Sequence, residues 1–196
     1  MLSTSLAVVD SVDEAVWEFF VNNEILTGVA AAVTRLGVVS VLLPLAAVSG
    51  FAVWRTSRSA HNALLPVVSV YLTAMVVSSL KDWTDVPRPP RESWLAAAGS
   101  ASFPSGHVAN TTALLTAVYV VSTRVYPHLA KRVLALAVVG SLMMGWTRLA
   151  LNVHWFSDVV GGLAVGVAVT FAVTRVFDGV RSRRENPPRT RGAREG

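Results

Sequence analysis

A histidine, an aspartate and an arginine stand together in residues 147–158, at the edge of a long apolar stretch. His154 and Asp158 are four residues apart, so on a helix they lie on one face. A carboxylate in that position binds one imidazole nitrogen and leaves the other free as a nucleophile. Arg148 adds a planar fork of donors that suits phosphate. The segment predicts nucleophilic chemistry on a phosphorylated substrate; the alternative is an ion pair between Asp158 and Arg148 at the membrane surface.

A second group of charges lies in residues 81–90, KDWTDVPRPP. Lys81 offers a compact charge and Arg88 a bidentate fork, and both neutralise phosphate oxygens well. The two prolines after Arg88 would stiffen the loop. The alternative is a lysine that reaches the membrane surface, followed by an ordinary proline-rich turn.

The third group is SFPSGH, residues 102–107, directly before another apolar run. Ser105 is a typical residue for the start of a helix. The free N–H groups and the positive end of such a helix also form an anion site. His107 beside a bound anion is a candidate general acid, whereas a lone histidine at a helix start is more often structural.

The composition indicates a membrane protein. The chain has 196 residues, of which 53% are hydrophobic and only 15% are charged, and its mean hydropathy is +0.52. Soluble domains carry roughly a quarter charged residues. The pI of about 10.4 does not indicate a nucleic-acid partner, because the basic residues lie in short loops and a C-terminal tail. With no cysteine in the chain, disulfides and thiolate chemistry are excluded.

The apolar runs predict an all-α, polytopic transmembrane bundle of about five spans. Residues 1–35 are expected to form an amphipathic segment at the membrane surface, residues 36–178 the catalytic domain, and residues 179–196 a basic disordered tail. The predicted spans are 36–54, 63–80, 108–125, 133–146 and 159–177.

The basic residues predict the orientation of this bundle. In the five-span arrangement, 12 of the 17 lysines and arginines fall on one side, with only 3 of the 12 acids. By the positive-inside rule, that side and the C-terminus are cytoplasmic. All three polar groups then lie on the outer face.

Together the three groups resemble the signature of the type 2 phosphatidic acid phosphatase (PAP2) family, which also contains vanadium haloperoxidases and bacterial acid phosphatases. Six residues separate Lys81 from Arg88-Pro89, residues 104–107 read Pro-Ser-Gly-His, and Arg148 is followed by His154 and Asp158 at the family spacing. Thr147 stands where the family usually has serine. The resemblance covers about residues 36–177 and is closest to short prokaryotic membrane members, which implies a haloperoxidase-like helical core and a prokaryotic plasma membrane.

The resemblance also implies roles for the residues. His154 would attack phosphorus and form a phosphohistidine, Asp158 would orient it, and His107 would protonate the leaving oxygen. Five residues would hold the phosphoryl oxygens: Lys81, Arg88, Ser105, Gly106 and Arg148. Ser105 would contribute its hydroxyl and its amide, and Gly106 its amide. The cationic side chains would do the work of a metal ion, so no metal or other cofactor is expected.

The implied substrate is a membrane lipid phosphate, such as phosphatidic acid, phosphatidylglycerol phosphate or a polyprenyl diphosphate. One alternative is a phosphotransferase that passes the phosphoryl group from the same histidine to a lipid or sugar hydroxyl. Another is a non-enzymatic membrane protein that binds or transports anions. Since the polar groups all fall at one membrane level, a site at the surface is favoured over a translocation path. The sequence leaves the oligomeric state open.

Overall fold

The computed structural model describes residues 2–23, 26–99 and 101–185, and the side chains of residues 9–23, 26–99 and 101–183. The regular structure of these residues is helical throughout, with short 3-10 turns at Arg35–Gly37, Arg91–Ser93 and Pro127–Leu129. The α-helices are α1 (Leu2–Asn22), α2 (Thr27–Thr34), α3 (Val39–Ser57), α4 (Ala60–Thr84), α5 (Gly106–Val125), α6 (Ala130–Ala150) and α7 (Phe156–Glu185). The predicted all-α architecture is confirmed.

Four segments of the described chain are long and apolar enough to cross a membrane: Val39–Ser57, Ala60–Thr84, Pro127–Ala150 and Phe156–Arg183. They correspond to α3, α4, α6 with its preceding turn, and α7. Large apolar side chains on these helices face outward, among them Phe51, Met75, Leu136 and Phe171. An exposed apolar surface of this extent suits lipid rather than water. The protein is therefore a helical membrane protein.

The predicted third span, α5, differs from the other four because it lies in the middle of the bundle. It packs against α3, α4, α6 and α7. Its first turns carry Asn110, Thr111 and Thr112, all buried. Because its neighbours shield it from lipid, α5 tolerates more polar residues than a helix in contact with acyl chains.

Close contact between α5 and α7 depends on two glycines of α7. A Cβ on Gly162 would lie 2.8 Å from the Ser105 carbonyl oxygen, and one on Gly166 would lie 2.4 Å from that of Ala109. Farther along, the Thr170 hydroxyl donates to the Ala113 carbonyl at 3.2 Å. At the other end of the bundle, Arg124 on α5 pairs with Asp178 on α7 at 2.9 Å. These contacts fix the position of α7 along the axis of α5.

Several helices extend beyond the predicted spans. α6 runs about a turn past the predicted end at residue 146, which places Arg148 on a helix rather than in a loop. α7 continues to Glu185, so residues 179–185 of the predicted tail are helical. The rest of that tail, 186–196, lies outside the described residues. Within the predicted N-terminal segment, α1 packs on α6 and α7, and α2 packs on α6.

Candidate active site

His154, in the loop before α7, and Asp158, in the first turn of α7, form a buried pair, so the two residues meet although only Asp158 is on the helix. The Nδ1 atom of His154 lies 3.0 Å from Oδ2 of Asp158, and the two residues are 3% and 0% exposed. The same oxygen accepts hydrogen bonds from the hydroxyl of Ser102 and from the N–H of Trp155 at 2.8 Å. An oxygen with three donors around it is well suited to carry the negative charge of an ionised carboxylate.

The other imidazole nitrogen faces a cation. Arg88 Nη1 lies 3.1 Å from His154 Nε2, and a guanidinium can only donate. Nε2 is therefore the acceptor, and the ring proton lies on Nδ1, toward Asp158. Burial lowers the pKa of His154 to about 4; the hydrogen bond and charge of Asp158 oppose the shift, while the charges of Arg88 and Arg148 add to it. The histidine is neutral at physiological pH, with a nucleophilic lone pair on Nε2.

Backbone carbonyls hold the two basic residues of the second group. Arg88 donates to the carbonyls of Val153 at 2.5 Å, Gly99 at 3.0 Å and Ala101 at 3.3 Å. Lys81, in the last turns of α4, donates to the carbonyls of Ala101 and of Ser102 at 3.0 Å. Both cations are thus anchored by carbonyls of the segment that leads to α5, and Arg88 also by the carbonyl of Val153.

The start of α5 meets the start of α7. Ser105 precedes the first residue of α5, and its N–H donates to the Asp158 carbonyl at 3.0 Å. In this structure a contact between α5 and α7 therefore already uses the Ser105 amide, and the contribution of that amide to phosphate binding stays a prediction. The Ser105 hydroxyl is fully buried and has no partner among the described residues. Gly106 begins α5 with its amide at the positive end of the helix, as the sequence predicted.

His107 lies among the cations. It is close enough to Arg148, His154, Arg88 and Lys81 for their charges to act on it. A Cβ on Gly37 would come within 3.0 Å of its ring, so the turn after α2 covers the imidazole. The structure therefore brings His107 to the same place as His154, as the sequence predicted.

Arg148 reaches the site from the end of α6 and is held by the N-terminal segment. Its Nη1 donates to the Thr34 hydroxyl at 2.6 Å, and the residue is 3% exposed. Its Nε has no hydrogen-bond partner within the described chain. The Thr147 hydroxyl donates back to the Met144 carbonyl at 2.7 Å, so it is satisfied within α6 and is not aimed at the histidine.

Three contributors to the site were not found from the sequence. Ser102 belongs to the SFPSGH motif but has no predicted role. Its position three residues before Ser105, in the same polar motif, is the signal that could have identified it. Thr34 had no signal, since it lies 114 positions from Arg148. Asp13 on α1 has no predicted role, yet its two carboxylate oxygens accept hydrogen bonds from the N–H and the hydroxyl of Ser157.

The acidic residues that the structure describes do not gather into a metal site. Over the described ranges, no three His, Asp or Glu side chains come close enough together to hold a metal ion. What the geometry presents is a buried neutral histidine, an aspartate behind it and several cations around it. This is a charge pattern complementary to a phosphoryl group.

The fold and this site define a helical membrane protein with a buried histidine–aspartate pair surrounded by cationic side chains. The chain belongs to the PAP2 superfamily, whose model matches residues 62–182. The predicted resemblance is thereby confirmed, and with it the enzyme class, a phosphatase.

Known proteins resemble the chain over most of its length. It is 31% identical over 154 residues to phosphatidylglycerophosphatase B of Bacillus subtilis strain 168, covering 77% of this chain and 73% of the relative. A crystal structure described as the first transmembrane PAP2-type phosphatidylglycerolphosphate phosphatase from Bacillus subtilis superposes with a TM-score of 0.79, at 29% identity and 88% coverage of both chains. LpxE of Aquifex aeolicus shares the fold, with a TM-score of 0.67 at 21% identity, over 83% of this chain and 94% of that one.

Proposed function

We propose that this protein hydrolyses the phosphate ester of a membrane lipid, with phosphatidylglycerol phosphate as the first substrate to test. One observation carries the proposal: a buried histidine is held at Nδ1 by a carboxylate and presents Nε2, unprotonated, to an arginine. The names of the Bacillus relatives support the choice of lipid.

The reaction would proceed in two displacements at phosphorus. His154 Nε2 attacks phosphorus, the bond to the lipid oxygen breaks, and His107 gives that oxygen a proton. Water then attacks the phosphohistidine, the P–N bond breaks, and the water proton passes to His107 as phosphate leaves. Asp158 stabilises the imidazolium character that develops on His154 in each step.

The cations would stabilise the charge on the phosphoryl oxygens, which is the main task in phosphoryl transfer. Arg148 Nε is a buried donor without a partner, so a phosphate oxygen would satisfy it. Arg88 at present faces Nε2, and it would turn toward the oxygens of the incoming phosphate. The negative charge of the substrate would in turn allow His107 to carry a proton among four basic residues. Lys81, the Ser105 hydroxyl and the Gly106 amide would complete the cradle.

The site would face outward from a prokaryotic plasma membrane, with the C-terminus of α7 in the cytoplasm. The ends of α4 and α6 and the starts of α5 and α7 meet at the site, while Arg55, Arg58, Arg124 and the basic end of α7 lie at the opposite end. The excess of basic residues at that end supports a cytoplasmic placement.

The experiment is phosphate release from detergent-solubilised protein, given phosphatidylglycerol phosphate, phosphatidic acid and a polyprenyl diphosphate in the presence of EDTA. Release by the wild type, and none by His154→Ala at equal folded concentration, is the expected result. Turnover that survives His154→Ala would overturn the mechanism. Turnover that appears only with an added hydroxyl acceptor would identify a phosphotransferase.

A further inference from the structure

The first turn of α7 lacks a cap of its own. Val159 N–H donates to the Trp155 carbonyl at 3.4 Å, which makes Trp155 the residue that precedes the helix. Serine, threonine, aspartate and asparagine are favoured at that position because their oxygens accept from the free N–H groups of the first turn. Tryptophan has no such oxygen. The N–H groups that follow need an acceptor from elsewhere.

Asp13 on α1 supplies that acceptor from 144 residues away. Its Oδ1 accepts from the N–H of Ser157 at 2.8 Å, and its Oδ2 accepts from the Ser157 hydroxyl at 2.6 Å. The residue is only 9% exposed. A buried carboxylate with both oxygens bonded at a helix start also interacts favourably with the positive end of the helix dipole.

The capped turn contains half of the catalytic pair. Asp158 follows Ser157 directly, and its Oδ2 accepts from the Trp155 N–H at 2.8 Å as well as from His154. In a capping box, the residue before the helix accepts from an N–H of the first turn, and the side chain at the third helical position accepts from the N–H of the residue before the helix. Here Asp158 makes the second of these contacts, and Asp13 replaces the acceptor that Trp155 lacks for the first.

α1 also joins the two loops that carry His154 and Arg88. The rings of Trp17 and Trp155 lie 6.4 Å apart between centroids, and Trp17 Nε1 donates to Ser93 Oγ at 3.3 Å. Trp155 Nε1 in turn donates to the Pro87 carbonyl at 2.8 Å. The helix thus contacts Trp155, directly beside His154, and Trp155 in turn contacts Pro87, directly beside Arg88.

We propose that Asp13 is a positioning residue for the phosphoryl-transfer site. By fixing the first turn of α7, it keeps Asp158 at the height where one oxygen meets both the Trp155 amide and His154. The role rests on the proposed function of His154 and Asp158. α1 lies outside residues 62–182, which the family model matches.

The test compares Asp13→Ala, Asp13→Asn and Ser157→Ala with the wild type in the phosphate-release assay. Asparagine keeps an oxygen for the Ser157 N–H, so Asp13→Asn should retain most of the activity. Asp13→Ala should lower kcat between about tenfold and a hundredfold with KM nearly unchanged, because the nucleophile is misplaced while the cations that bind phosphate remain. Glu14→Ala, at the exposed neighbour on α1, is the matched control and should behave as the wild type.

A double variant, Asp13→Ala with Ser157→Ala, tests whether the two residues act through one contact. The combined loss should be smaller than the product of the two single losses. Hydrogen exchange at the amides of residues 156–160 should rise in Asp13→Ala and not in Asp13→Asn.

The outcomes separate this inference from the proposed function. A wild type without turnover on any lipid would remove the proposed function and this role with it. An active wild type whose kcat is unaltered in Asp13→Ala, or falls equally in Asp13→Asn, would overturn the positioning role alone. So would a change confined to KM or to the yield of folded protein.

Discussion

Arg88 Nη1 lies 3.1 Å from His154 Nε2, the ring nitrogen that would attack phosphorus in the proposed mechanism. The guanidinium is anchored to the carbonyls of Val153 and Gly99. It therefore fixes the ring tautomer in this structure and stands ready to receive phosphoryl oxygens once it turns. In the proposed mechanism, Arg88 would thus act both on the resting histidine and on the bound phosphate.

Replacing the Arg88 guanidinium by a lysine ammonium group tests the contact between Arg88 and His154. Arg88→Lys should lower kcat/KM by about a hundredfold or more, because an ammonium group cannot hold the carbonyls and the phosphate oxygens in one plane. Arg91→Lys is the matched control, since Arg91 lies in the same loop with its guanidinium over the Trp94 ring. A loss of less than about threefold in Arg88→Lys would contradict the role assigned to the fork.

Asp158→Asn tests whether Asp158 holds His154 in the tautomer that carries its proton on Nδ1. An asparagine presents an amide where His154 needs an acceptor for its Nδ1 proton, and comparable changes in other histidine sites cost about 10⁴-fold in kcat. We expect a loss of at least about a hundredfold here, measured by phosphate release with folded protein verified by gel filtration. Ser102→Ala removes one of three donors to the same carboxylate and should cost about tenfold. Equal effects of the two substitutions would argue against a special role for Asp158.

The buried histidine sets the acid limit of the reaction. Because the pKa of His154 is lowered to about 4, its neutral form persists down to that pH, and its protonation should not reduce kcat/KM between pH 5 and 8. An unperturbed histidine would titrate near about 6.5. The imidazole NMR signals of labelled protein, assigned with His154→Ala, provide the measurement. A His154 midpoint near 6.5 would contradict the burial seen here.

The same lowered pKa affects stability. In the folded state His154 stays neutral down to about pH 4, whereas in the unfolded chain it takes up a proton near about pH 6.5. The unfolded state therefore binds more protons in this window, and the histidine's contribution lowers stability as the pH falls from 6.5 toward 4.

Two glycines of α7 offer a matched pair for packing. A Cβ on Gly166 would lie 2.4 Å from the Ala109 carbonyl oxygen, whereas one on Gly179 would meet nothing within 4 Å. Gly166→Ala should destabilise the protein by about 1–3 kcal/mol through overpacking. Gly179→Ala should be neutral or stabilising by up to about 1 kcal/mol, since alanine favours the helix. Thermal unfolding in detergent gives both values, and equal midpoints would show that α5 and α7 can separate without cost.

Much of the site follows from the sequence because its residues lie close together along the chain or carry a distinctive spacing. His154 and Asp158 meet because a carboxylate at the third position of a helix reaches back to the residues just before it. The apolar runs of α3, α4, α6 and α7 determine a membrane bundle through length and hydropathy alone. The charges in the loops indicate an orientation, and the three motifs together indicate the family.

Only the tertiary structure decides how the site is held. Thr34 meets Arg148, and Asp13 meets Ser157, across more than a hundred residues, and no local periodicity records a contact of that kind. The Ser105 amide looked free at a helix start, yet packing of α5 on α7 gives it the Asp158 carbonyl. The physical reason is the same in each case: a buried donor or acceptor must be satisfied, and which partner satisfies it depends on how the helices are packed in three dimensions.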